Sequence, residues 1–277
     1  DLNLTHYRLS GLNLDTWQTY FNYRQITTTA ATIFPLHQTY GGNAKAMEII
    51  AGNICADFDR DFDAYLGSAG ESQSLETGLQ QLIVNQFDRL QKLDADAYEL
   101  LCRAGCYRYQ GLARVNADAL SSLLWDVEPQ QRSQVINSLK NRSLIEYYRG
   151  KYLLHPAIRA EAISRLRQTD RWIQSNQQAA KFWINSVNHI IDITTAITAL
   201  EAYYHYIEIG DFQQAAQVLL QPRSNQWGQF LPLASNLYRM GSIQPVLAAI
   251  EQIVPSLLPS RSTAELSNIL GDLYWII

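Results

Sequence analysis

The chain has little that would staple it, metallate it or anchor it. Three cysteines in 277 residues, Cys55, Cys102 and Cys106, are an odd and sparse set, which excludes the disulfide framework of a small secreted domain. Cys102 and Cys106 stand four apart on a predicted helix and share a face, so metal ligation is one reading. No His or second Cys pair lies near them in sequence to complete four ligands, and buried reduced thiols are the other reading. Reduced thiols fit a cytoplasmic protein. No apolar run approaches the ~20 residues that span a bilayer. No signal peptide opens the chain, which starts Asp1-Leu2-Asn3-Leu4 without Met and stops inside the apolar run Leu273–Ile277, the pattern of a piece of a larger protein. No Gly-x-x-x-x-Gly-Lys-Ser/Thr cradle for phosphates occurs. Alternating Asp57, Asp59, Asp61 and Asp63 suggest a calcium loop, but its sixth and twelfth positions are Phe62 and Ser68 instead of Gly and Glu, so the metal reading fails. Charged residues make up only 17%, and a net charge of −4 gives no general pull toward nucleic acid or anionic lipid.

What is present is apolar: 47% hydrophobic residues over a length that suits two or three compact domains. The most informative stretch is Tyr147-Tyr148-Arg149-Gly150-Lys151-Tyr152-Leu153-Leu154-His155-Pro156. Two short runs rich in Tyr, Leu and Ile flank Arg149-Gly150, a two-residue loop that predicts a β-hairpin. Pro156 then suits the first turn of a helix, and Ile158, Ala162 and Leu166 recur every four residues to give that helix a buried stripe. His155 therefore lies where a strand ends and a helix begins. Helix N-termini carry unpaired N–H donors and a positive dipole end, so His155 either contacts a bound phosphate or merely caps the helix.

Taken in order, Thr5–Leu9 alternate as the end of a strand. Asn13 or Asp15 caps a short helix carrying Trp17, Tyr20 and Phe21, and a polar link at Thr27–Thr29 leads to a second helix whose early start Pro35 limits. Gly41-Gly42-Asn43 form a tight turn, with Asn43 capping the apolar helix of Met47, Ile50 and Ile54. One of the clustered aspartates caps a helix ending near Leu66. The small, polar stretch Gly67–Ser74 marks a domain boundary. Amphipathic helices are predicted over Leu75–Leu90, from Asp94, over Ala117–Trp125 and from Pro129. Helices followed by a two-stranded wing make a winged helix. Between Pro129 and Ser143 the charges are Arg132, Lys140 and Arg142 with no acid among them, either a DNA-contacting face or an ordinary solvated one. Beyond Gln168 every segment reads as helix. Tyr206-Ile207-Glu208-Ile209-Gly210-Asp211-Phe212 and Leu237-Tyr238-Arg239-Met240-Gly241-Ser242-Ile243 repeat the turn of a tetratricopeptide helix pair, and Leu270-Gly271-Asp272-Leu273-Tyr274 opens another.

The order Leu9-Ser10-Gly11-Leu12, then Tyr40-Gly41-Gly42-Asn43-Ala44-Lys45-Ala46-Met47, then a winged helix ending Leu154-His155-Pro156, then repeats, resembles the STAND class of signalling ATPases. It is most similar to the NB-ARC group of cyanobacterial multidomain regulators, and Ala202–Gln221 is similar to their linker region. The resemblance implies a mainly α fold: a helical domain over 1–72, a winged helix with a small β-hairpin over 73–168, and truncated tetratricopeptide-like repeats over 169–277. It implies ADP or ATP with Mg²⁺ in the longer protein, held by an upstream P-loop domain in cis. This chain would then be no enzyme itself, since the P-loop Lys, the Mg²⁺ ligands and the catalytic acid all lie upstream. Gly42-Asn43-Ala44 stands where the family's Gly-x-Pro turn packs on the nucleotide, with Ala44 in place of Pro. His155 stands at the His of the Met-His-Asp motif, which touches the ADP β-phosphate. A protein partner or inducer is expected at the repeats, with oligomerisation on activation and no membrane. Two other classes stay open: a nucleotide-free interaction scaffold, and a transcription regulator contacting DNA through Arg132, Lys140 and Arg142.

Overall fold

The computed structural model describes residues 10–70, 78–109 and 114–276. The strand expected at Thr5–Leu9, the end of the Gly67–Ser74 boundary and the first residues of the helix expected from Leu75 lie outside these. In chain order come α1 (Leu14–Tyr23), α2 (Ala30–Thr39), α3 (Ala44–Asp57) and α4 (Phe62–Gly70). Next are α5 (Leu79–Leu93), α6 (Ala95–Ala104), β1 (Val115–Asn116), α7 (Ala117–Ser122) and α8 (Arg132–Asn141). Strands β2 (Glu146–Tyr148) and β3 (Lys151–Leu153) lead to α9 (Pro156–Arg167) and α10 (Arg171–Ser186). After them run β4 (His189–Ile190), α11 (Ile193–Glu208), α12 (Phe212–Leu220), β5 (Pro222–Asn225) and β6 (Phe230–Pro232). The last three helices are α13 (Leu233–Arg239), α14 (Ile243–Ile253) and α15 (Arg261–Ile276). The fold is mainly α, as the periodicities predict.

Two compact units divide the chain, Asp1–Cys102 with Asp126–Ala162 and Arg103–Trp125 with Ile163–Ile277. In the first, local side-chain chemistry sets the helix starts. Asn13 Oδ1 accepts from Thr16 N–H at 2.8 Å, Asn43 Oδ1 from Ala46 N–H at 3.0 Å and Asp61 Oδ1 from Ala64 N–H at 2.9 Å. These caps satisfy amides that the first turn leaves without carbonyl partners. α2 starts five residues before Pro35, earlier than expected, because Thr29 and Thr32 form a reciprocal capping box that fixes the start at Ala30. Its core is aromatic: Trp17 stacks on Phe21 at 6.1 Å and meets His37 edge-on at 5.6 Å, while Phe21 meets Phe62 at 6.0 Å.

The hairpin forms where expected, with Glu146 opposite Leu153, Tyr147 opposite Tyr152 and Tyr148 opposite Lys151. Arg149 (φ 49°) and Gly150 (φ 79°) are both left-handed, the backbone that a two-residue loop needs to match the twist of its strands. α8 starts at Arg132 rather than near Pro129, because 129–131 are taken up by a turn. It buries Val135, Ile136 and Leu139 as expected and packs on α3. The approach is close: a Cβ on Gly52 would stand 2.6 Å from the Arg142 carbonyl.

The second unit is built around Tyr107, whose hydroxyl donates to Ala119 O at 2.7 Å and whose ring meets Trp183 at 5.8 Å and His205 at 5.6 Å. Gly210 and Gly241 turn α11 into α12 and α13 into α14. One expectation fails here, since the segment is not wholly helical. β4, β5 and β6 form a sheet in that order, β4 parallel and β6 antiparallel to β5. Pro222 and Pro232 remove N–H donors that a helix would use. Buried Asn225 locks the turn between β5 and β6 by accepting from Trp227 N–H and Gln229 N–H, both at 3.0 Å, and donating to Asn236 Oδ1 at 2.8 Å.

Candidate functional site

The turn before α3 is tight because two backbones nearly touch. Leu12 N–H donates to Gly42 O at 2.8 Å, and His37 Nε2–H donates to Leu12 O at 2.7 Å. Gly41 and Gly42 are both left-handed, at φ 57° and 69°. The turn spends its own amides: Gly41 N–H donates to Gln38 O, Gly42 N–H to His37 O and Asn43 N–H to Tyr40 O, at 3.0 to 3.2 Å. A ligand therefore meets a preformed, satisfied turn rather than an open amide nest. Ala44 is the first residue of α3, a position where proline and alanine fit equally well because the N–H there has no helical partner.

One residue further on, Lys45 is 7% exposed and sits between two carboxylates. Its Nζ lies 3.1 Å from Glu48 Oε2, one turn along α3, and 3.4 Å from Glu146 Oε1 on β2. A buried ammonium is tolerable only when paired, and this pairing ties the hairpin to the start of α3. His155 belongs to the same cluster, close enough to feel the charges of Lys45, Glu146 and Glu48. What links His155 to the start of α3 is the charge of Lys45, the residue that follows Gly42-Asn43-Ala44 in the chain. Lys45 and Glu146 were missed in the sequence; a lysine inside the apolar pattern of α3 was the available signal.

His155 caps α9. Its carbonyl accepts from Arg159 N–H at 2.9 Å, and its Nδ1 accepts from Ala157 N–H at 3.3 Å. An Nδ1 that accepts leaves the proton of the neutral ring on Nε2, and that Nε2–H has no hydrogen-bond partner among the described residues. Capping and ligand contact are thus compatible, since they use opposite edges of one imidazole. Burial, and then the charge of Lys45, push the ring's pKa below its ordinary value against the opposing pull of Glu146 and Glu48. A base whose pKa falls on folding takes up its proton more readily in the unfolded chain, so stability is lost as pH drops through about 6.5. The thermal midpoint of the parent should fall further between pH 7 and pH 5 than that of His155→Gln. Equal falls would mean that His155 does not titrate against the fold.

The three candidate DNA-contacting cations have different surroundings. Lys140 is exposed and lies 4.6 Å from the centroid of the Tyr147 ring. Arg132 is half-buried, its Nε donating to Val127 O at 3.0 Å. Arg142 is held inside the unit, its Nη2 lying 2.8 Å from Asp57 Oδ1. No helix among the described residues is long and apolar enough to cross a membrane.

No protein-family model matches the chain. A crystal structure of a Signal Transduction ATPase with Numerous Domains (STAND) protein with a tetratricopeptide repeat sensor, from Pyrococcus horikoshii, matches 92% of the chain with a TM-score of 0.59 and 16% identity. The likeness is one of fold. The chain corresponds to 32% of that protein. An uncharacterised WD repeat-containing protein of Nostoc sp. PCC 7120 is 29% identical over 119 residues, which are 43% of this chain and 9% of the relative. The chain therefore spans only a minor part of the proteins it matches.

Proposed function

We propose that the chain is the regulatory and sensor part of a nucleotide-switched STAND-class signalling ATPase, in which His155 contacts the ADP phosphate and the helical repeats bind a protein partner or inducer. The observation that carries this reading is His155 lying within reach of the charge of the paired Lys45, the residue that follows Gly42-Asn43-Ala44, with the Nε2–H edge of the imidazole unspent. The mainly α fold shared with a STAND protein supports it. ADP or ATP, with Mg²⁺, would be held by a P-loop domain in cis, which supplies the phosphoryl chemistry. The residues of this chain supply the switch. His155 donates a hydrogen bond to a phosphate oxygen, which is stronger to an anion than to a neutral acceptor. Gly42-Asn43-Ala44 offers a rigid backbone surface, and the Lys45–Glu146 pair keeps the hairpin on α3 while His155 is engaged. Loss of the phosphate contact, or a partner bound at the repeats, shifts the balance toward an open, oligomerising state. Such a shift requires contacts that differ between the two states, and the Nε2–H bond is one of them.

The test is the nucleotide content, as purified, of a longer natural protein carrying the P-loop domain. ADP should copurify with the parent and be lost from His155→Ala. His155→Asn separates the two roles of the residue, since Asn is among the best helix caps but lacks the Nε2–H donor. Loss of ADP from both variants supports sensing. Retention in the Asn variant alone reduces His155 to a cap, and no ADP in the folded parent favours a nucleotide-free scaffold.

A further inference from the structure

The aspartate-rich corner after α3 does something other than bind calcium. Asp57 accepts from Arg89 Nε at 2.9 Å and from Arg142 Nη2 at 2.8 Å, while Asp61 caps α4. Arg60 stands between Asp59 and Asp61, yet among the described residues its guanidinium has no ion pair or hydrogen bond. It lines a cavity of about 260 Å³ together with Arg24, Cys55, Ala56 and Asn141. Asp59 (φ 49°) and Arg60 (φ 66°) are both left-handed, a conformation that costs free energy for residues with a Cβ. The turn is fixed by Arg60 N–H donating to Ile54 O at 3.0 Å and Asp61 N–H to Phe58 O at 2.8 Å.

On the same cavity lining, the guanidinium of Arg24 is held by two hydrogen bonds. Nη1 donates to Tyr20 Oη at 3.2 Å and Nη2 to the Asn141 carbonyl at 3.4 Å. None of the five lining residues is acidic. Arg24 and Arg60 thus give the cavity lining two positive charges and no negative one, which favours an anion there. We propose that this cavity binds the phosphate group of a small phosphomonoester. Two planar guanidinium forks match the oxygens of a phosphate dianion, and the Asn141 side-chain amide can add a third donor. The Cys55 thiol and the Ala56 methyl group are small and uncharged, and the volume leaves room beyond the phosphate for the first carbons of its ester. The cavity shares no residue with the cluster around Lys45 and His155, so the proposal is independent of the nucleotide reading.

The test is titration calorimetry on the 277-residue chain with orthophosphate and with glycerol phosphate, against sodium chloride of matched ionic strength. Glycerol phosphate should bind saturably, with a Kd of about 1 mM or tighter. Arg60→Gln should weaken it by about tenfold or more through loss of a charge-assisted contact. Arg60 is exposed and unpartnered among the described residues, so this variant should keep the parent's thermal midpoint and decide the matter even if Arg24→Gln does not fold. Absence of saturable binding, or equal affinity in Arg60→Gln, would overturn the proposal. Orthophosphate binding without glycerol phosphate binding would overturn the monoester assignment.

Discussion

Asp57→Ala is expected to destabilise the first unit by about 3 kcal/mol, one of the largest effects of a single side chain on this fold. The Asp57 side chain is 5% exposed and holds two guanidinium groups, Arg142 at 14% and Arg89 at 32% exposure. Removing the carboxylate leaves Arg142 with Ser138 and with Asp94 Oδ2, which lies 3.9 Å from Nη1. Its Nη1 still reaches Ser138 O at 3.3 Å, and Ser138 in turn bonds Asp94, the residue that caps α6. A largely buried charge stripped of its nearer counter-ion costs more than that pair contributed, because the more distant Asp94 offsets only part of its desolvation. Arg89 reduces the total effect, since it is partly solvated and also lies over the Phe58 ring at 4.4 Å. Asp57→Ala/Arg142→Met should recover part of the loss by removing a cation left with only its more distant counter-ion, Asp94. Hydrogen exchange read on the peptides of α3, α5 and α8 is the measurement, because two compact units need not unfold in one two-state step. A loss below about 1 kcal/mol would mean that water reaches Arg142 and that the network is peripheral.

That network also shows which features were legible in the sequence. The caps at Asn13, Asn43 and Asp61 join a side chain to an amide three residues on, so residue type and spacing placed Asn43 and narrowed the others to Asn13 or Asp15 and to one of four clustered aspartates. The hairpin was legible for the same reason, since Arg149-Gly150 concentrates its turn chemistry in two residues. By contrast, Asp57 meets Arg89 and Arg142 across 32 and 85 residues, and Lys45 meets Glu146 across 101. Nothing local distinguishes such charges from solvated ones; only the packing of α3 against α5, α8 and the hairpin brings them together. The sheet of β4, β5 and β6 was missed although its signals were local. Pro222, Gly228 and Pro232 argued against helix, but the repeat pattern in the flanking helices outweighed them. At the candidate site, the sequence named His155 and the turn from separate local signals, and the fold adds the buried Lys45, whose charge reaches His155.

The second large effect is expected at that turn. Gly42→Ala should cost about 3–5 kcal/mol, combining a left-handed residue with a Cβ and a direct clash. A Cβ on Gly42 would stand 2.3 Å from Leu12 O and 3.0 Å from Leu12 N, in a backbone held at φ 69°. Neither atom can yield cheaply. Leu12 N–H is the donor to Gly42 O at 2.8 Å, and Leu12 O is the acceptor for His37 Nε2–H at 2.7 Å, so moving Leu12 away breaks both bonds. The neighbouring glycines separate strain from contact. A Cβ on Gly41 meets nothing within 4 Å, so Gly41→Ala bears only the left-handed penalty of about 1–2 kcal/mol. A Cβ on Gly11 would lie 2.1 Å from Gly41 O with no left-handed penalty, so Gly11→Ala reports the clash alone. Urea unfolding of the three variants should therefore rank Gly42→Ala as most damaging and Gly41→Ala as least. If Gly41→Ala and Gly42→Ala cost the same, the close approach of Leu12 contributes nothing, and backbone conformation alone explains both glycines. If the expected ranking holds, the turn that presents Asn43, Ala44 and Lys45 is fixed by backbone contact with Leu12. On the proposed nucleotide reading, a phosphate at His155 would then meet that side of its site already assembled.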